Sequence, residues 1–124
     1  MNNSRAANTD KNKQHIEGRV QEIGGERGLE GLSTEWEDPQ DKTMGTYKLS
    51  VHVPGHDPVV ISFSARDLRW KTYYPEKGED VEKFLEDEKE SRRDSYDRKQ
   101  RWDAQIRQAL SGFGQSKRPI GFRS

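Results

Sequence analysis

The 124 residues of this chain weigh 14.4 kDa and balance 22 Lys and Arg against 22 Asp and Glu, a formal net charge of zero. Charged residues reach 35% and the apolar set AVILMFWYC only 28%, which supports one domain with a small core and tails, not two domains. No apolar run approaches the ~20 residues of a membrane-spanning helix, and the absence of cysteine excludes disulfides, thiolate metal sites and a cysteine nucleophile.

Residues 1–13 show no apolar periodicity and are expected to be a disordered tail. They also lack the apolar stretch of a secretory signal, so a cytoplasmic protein is expected. An antiparallel β unit is expected over 14–76. Ile16 and Val20 share one strand face and Ile23 does not, which reads as a strand with a bulge near Gly18. Gly24, Gly25 and Gly28 mark a turn. Leu32, Thr34 and Trp36 alternate with Ser33, Glu35 and Glu37 as a short strand, and 38–42 is a loop. The clearest signal follows: Tyr47, Leu49, Val51 and Val53 alternate with polar residues, Pro54-Gly55 supplies a turn, and Val59, Ile61, Phe63 and Ala65 alternate again. This predicts an antiparallel hairpin. Residues 66–77 read as a last strand or as a loop crossing to a helix.

A long charged helix is expected within 77–112, since no Gly or Pro interrupts 79–111. Acidic residues crowd its start, basic residues its end, and Gly112 stands at the position of a C-terminal cap. Such a helix is about 50 Å long. Its apolar residues fall in two clusters, Val81, Phe84 and Leu85, then Trp102, Ile106, Ala109, Leu110 and Phe113, with none between Glu86 and Ser95. A break near Ser91 would let two helices pack on one sheet. A continuous helix is favoured, because nothing there breaks helical geometry. The second cluster then reaches beyond the β unit and needs a partner or a second copy. Residues 113–124 read as a mobile basic tail. The fold class is therefore α+β: a small antiparallel sheet or barrel of three to five strands, a long C-terminal helix, and disordered tails. The expected core is Ile16, Val20, Leu49, Val51, Val53, Val59, Ile61, Phe63, Leu68, Phe84 and Leu85.

The zero net charge conceals a pattern. Residues 21–58 carry −5, 77–97 carry −4, and 98–124 carry +6. Asymmetry of this kind bears on partners rather than on fold. His52 and His56 flank the hairpin turn beside Asp57, but they lie on a strand end and a turn, and they read as solvated residues rather than as metal ligands. The Gly24–Gly28 stretch lacks phosphate-loop spacing, and no nucleophile motif is present. No enzyme activity, cofactor or metal is expected.

Two binding readings remain. The first is a regulatory or assembly protein that docks on a protein partner, or on itself as an oligomer, through the distal end of the long helix, using Tyr96, Arg98, Arg101, Trp102, Ile106 and Leu110. The second is single-stranded DNA or RNA binding. Basic and aromatic residues interleave in Arg66, Arg69, Trp70, Lys71, Tyr73 and Tyr74, and basic residues return in Lys117, Arg118 and Arg123. Cationic grooves beside stacking platforms hold single strands in this way. In the opposing reading, Trp70, Tyr73 and Tyr74 are core residues and the helix arginines only complement the helix dipole.

Overall fold

The computed structural model describes residues 3–72 and 89–116, with side chains described over 7–72 and 93–113. The order is α1 (Asn3–Glu26), β1 (Ser33–Glu37), β2 (Thr46–His52), β3 (Val59–Ser64), α2 (Ala65–Arg69) and α3 (Lys89–Ser116). The strands form one antiparallel sheet in the order β1-β2-β3. The fold is α+β, as the sequence predicts. Among the described residues no helix is long and apolar enough to cross a membrane.

The hairpin follows the period-two signal. Tyr47, Leu49 and Val51 of β2 and Ile61 and Phe63 of β3 are buried, while their neighbours Lys48, Val60 and Ser62 face out. The register pairs Leu49 with Ile61 and Tyr47 with Phe63 across the strands. His56 N–H donates to the Val53 carbonyl at 3.0 Å, closing the turn at Pro54-Gly55. On β1, Thr34 and Trp36 turn inward as their alternation predicts.

The N-terminal third corrects the sequence reading. Residues 3–13 are helical rather than a disordered tail, and the segment from Ile16 to Ile23 is helix rather than a bulged strand. The reason lies in the periodicity. Ile16, Val20 and Ile23 stand at i, i+4 and i+7 and are all fully buried. Upstream the same stripe continues through Thr9 and Asn12, both buried, so polar side chains carry it where apolar ones were sought. The helix ends in a Schellman motif: Leu29 N–H donates to the Gly24 carbonyl at 2.9 Å and Gly28 N–H to the Gly25 carbonyl at 3.0 Å. Gly28 takes the left-handed conformation this requires, with φ of 78°. At Gly24 a Cβ would meet Leu32 Cδ1 at 2.6 Å, so the Leu32 side chain packs in the space that the glycine leaves open.

Residues 65–69 form a short helix instead of a strand or a plain loop. Ser64 Oγ caps it by accepting from the Asp67 N–H at 3.1 Å. At the far end, α3 runs through Gly112 to Ser116, so Gly112 is not its cap and residues 113–116 are helix rather than tail; residues 117–124 lie outside the described residues. Phe113 explains the extension. It completes the stripe Trp102, Ile106, Leu110 and Phe113, is 1% exposed, and meets the His56 ring edge-on at 5.3 Å. Burying such a ring outweighs the roughly 1 kcal/mol that a helical glycine costs. Phe84 and Leu85, and the continuity of the helix upstream of Lys89, lie outside the described residues.

One core joins these elements. Ile16, Val20 and Ile23 meet Leu49, Val51, Val53, Ile61, Phe63, Leu68, Trp102, Ile106 and Leu110, with Val59 packed at its margin. The distal cluster of α3 thus folds back onto the sheet and α1 rather than reaching past them. An ion pair ties the two long helices: Arg19 Nε and Nη2 each donate at 2.9 Å to the two oxygens of Asp103.

Candidate nucleic-acid interface

The short helix α2 and the residues after it form an exposed corner. Trp70 follows α2 directly and is 59% exposed, so it is not a core residue. An α-helix ends with unpaired carbonyls, and at this corner side chains from both long helices supply the donors. From α1, Asn12 Nδ2 donates to the carbonyls of Leu68 at 2.9 Å and Trp70 at 3.1 Å, and Asn8 Nδ2 to that of Arg69 at 3.2 Å. From α3, Arg98 Nη2 donates to the Lys71 carbonyl at 3.2 Å and Nε to Thr72 Oγ1 at 3.4 Å. Four consecutive carbonyls, from Leu68 to Lys71, are therefore held by side chains of other elements. The exposed indole sits on a fixed backbone.

Beside it lies a cleft of about 720 Å³ lined by Ala7, Asn8, Lys11, Arg66, Arg69, Trp70 and Lys71. Among its described lining residues four are cationic and none is acidic. Lys11, Arg66 and Lys71 are exposed. Arg69 donates one of its five guanidinium N–H groups to the Thr43 carbonyl at 2.9 Å. Another hollow that Trp70 and Lys71 also line is mixed in charge, with Asp67, Asp94 and Asp97 beside Arg98 and Arg101.

The structure thus brings Arg66, Arg69, Trp70 and Lys71 together. Tyr73, Tyr74, Lys117, Arg118 and Arg123 lie outside the described residues. Sequence reasoning missed Asn8, Asn12 and Lys11, because it placed them in a tail; their i, i+3 and i, i+4 spacing on one helix was the available signal.

The residues of the helix-end contact separate. Trp102, Ile106 and Leu110 are each at most 1% exposed, so they are core and not surface. They are buried because α1, unforeseen, supplies the surface they needed. Arg98 is 7% exposed and is engaged by Lys71 and Thr72. Tyr96 is 38% exposed, and Arg101 pairs with Asp67 at 2.8 Å. At the turn, His56 packs on Phe113 and His52 lies 3.9 Å from Glu35.

Away from the corner, His15 is half-buried between α1 and α3, with ring centroids 6.2 Å from Trp102. Burial lowers its pKa below 6.5; Lys99 and Arg19 push the same way, and Asp103 and Glu22 oppose. Burial also lowers the pKa of Lys99, against the pull of Asp103.

No protein-family model, curated protein or solved structure matches the chain.

Proposed function

We propose that this protein is a non-enzymatic, cytoplasmic module that binds single-stranded nucleic acid at the Trp70 corner. The observation that carries the reading is the exposed indole on a clamped backbone, facing a cleft whose described lining has four cations and no carboxylate. An exposed ring offers a stacking face to any base, and the adjacent cations meet the phosphates. A fixed platform loses little entropy when a base lands on it. The zero net charge fits a local contact rather than a surface that coats polyanions.

The test is an anisotropy titration with labelled oligothymidylate of about a dozen nucleotides, a length within the site sizes of known single-strand-binding domains. Trp70→Ala is expected to weaken binding by about 5- to 150-fold, corresponding to about 1–3 kcal/mol per stacked base. Arg66→Glu and Lys11→Glu, at exposed positions, weaken it further while leaving the fold intact. Absence of binding by the unaltered protein at about 50 mM salt overturns the reading.

A second reading keeps a protein partner or self-association on α3. It rests on Tyr96, one of the few large apolar side chains exposed among the described residues. It predicts a solution mass above that of one chain, reduced to one chain by Tyr96→Ala; a single-chain mass with no partner captured through Tyr96 removes it.

A further inference from the structure

The basic cleft does not end at Arg66 and Arg69. Both arginines also line a second hollow, of about 490 Å³, with Thr43, Met44, Gly45 and Ser64. Met44 is 67% exposed, more so than Trp70, Val60 or Tyr96. Its loop is not loose. Thr43 N–H and Oγ1 donate to Asp41 Oδ1 at 2.9 and 2.6 Å, and Met44 N–H to the Asp41 carbonyl at 3.2 Å. Those bonds hold the Asp41 carboxyl below its usual range and so fully charged within its own turn. On the other side of the loop, Arg69 grips the Thr43 carbonyl at 2.9 Å, and Ala65 N–H donates to the Gly45 carbonyl at 3.0 Å. The β1–β2 loop is thereby pinned to α2, the element that carries Arg66 and Arg69.

Building on the reading of the Trp70 corner, we infer that the ligand path continues across Arg66 and Arg69 to Met44, which is a second platform for a base further along the same strand. Three observations set this direction. The other hollow that Trp70 and Lys71 line sets Asp67, Asp94 and Asp97 against Lys71, Arg98 and Arg101, so it lacks the cation excess of the basic cleft and attracts phosphates less. Arg66 and Arg69 line both the hollow beside Trp70 and the hollow beside Met44, so a strand that reaches from one to the other meets both arginines. A thioether is polarizable and makes favourable contacts with aromatic rings, so a pinned, exposed methionine is suited to meeting a base. The ligand class is then an oligonucleotide, and a mononucleotide fills only part of the site.

The experiment titrates the full chain with thymidine monophosphate and with oligothymidylates of increasing length. Affinity rises with length until the strand reaches Met44. Met44→Ala lowers oligonucleotide affinity about two- to ten-fold, the range of a thioether contact with a ring, and leaves monophosphate affinity unchanged. Trp70→Ala lowers both. Met44→Leu, which keeps the apolar area, retains most of the affinity and shows that the loop still folds. If Trp70→Ala weakens binding and Met44→Ala does not, the extended path is wrong and the Trp70 site stands. If neither variant weakens binding, the underlying site is wrong as well.

Discussion

Asn12 carries the most of any single side chain, because it links the helix that sequence patterns hid to the corner proposed as the binding site. It is 1% exposed and donates to the carbonyls of Leu68 and Trp70. Asn12→Ala removes both donors and leaves the Leu68 carbonyl unpaired in a buried place and the Trp70 carbonyl short of a donor in a half-buried one. Each buried unsatisfied group costs about 1–3 kcal/mol. The Trp70 carbonyl keeps the Thr72 hydroxyl at 3.3 Å, so its loss falls at the low end. The expected total is about 2–3 kcal/mol, which lowers a urea midpoint by about 1–2 M at the m-value of a small domain. Asn12→Asp separates hydrogen bonding from volume. It is isosteric, yet at neutral pH it sets a carboxylate against two carbonyl oxygens. It should therefore be less stable than Asn12→Ala at pH 7. Burial among acceptors raises that carboxyl's folded-state pKa above its unfolded value near 3.9. The deficit of Asn12→Asp then shrinks as pH falls through the folded-state pKa, where the protonated acid donates one bond again. Urea unfolding followed by circular dichroism at pH 7 and pH 4 measures both. A midpoint shift under about 0.3 M for Asn12→Ala, with Asn12→Asp no worse at pH 7, refutes the reasoning.

Trp102→Ala should cost about 3–5 kcal/mol, as expected for a fully buried ring, whereas exposed Tyr96→Ala stays within about 0.5 kcal/mol; thermal melts compare them, and equal melting temperatures reject the core assignment of Trp102. His15 gives a pH dependence of known sign. Its folded pKa lies below the unfolded value of 6.5, so the contribution of its neutral form is complete above 6.5 and is lost as pH falls from there through the folded pKa. His15→Gln should flatten the fall in stability between about pH 6.5 and 5; an unchanged slope in denaturation midpoints would place the titration elsewhere.

The hairpin was legible because one of its faces is wet, so Leu49, Val51, Ile61 and Phe63 alternate with polar residues. The short helix α2 was legible only in hindsight, in the Ser64-x-x-Asp67 spacing of a capping box. α1 was hidden for two reasons. Ile16 and Val20 fit a strand as well as a helix, leaving Ile23 alone to decide. Further upstream the buried stripe is made of Thr9 and Asn12, whose burial is compensated by tertiary hydrogen bonds that no local pattern reveals. That single omission displaced the site. Without α1, Trp102, Ile106 and Leu110 lacked a place to pack and read as a docking surface. With α1 in place they are core, and Lys11 and Asn8 join the Arg66–Lys71 cluster that basic-aromatic interleaving had already marked. Arg98 was singled out for its charge, but its role is to hold the carbonyl of Lys71.

The claim at the centre is that a clamped Trp70 and the cations around it hold a single strand. Its most direct test is the salt dependence of oligothymidylate affinity, measured for the unaltered protein and for Trp70→Ala. Each neutralised phosphate of a single strand contributes about −0.7 to the slope of log K against log salt, so three or four contacts from Lys11, Arg66, Arg69 and Lys71 predict a slope of about −2 to −3. Trp70→Ala should lower affinity at every salt concentration and keep that slope, since it removes stacking and no charge. A slope flatter than about −1, or an affinity indifferent to Trp70, would contradict the account.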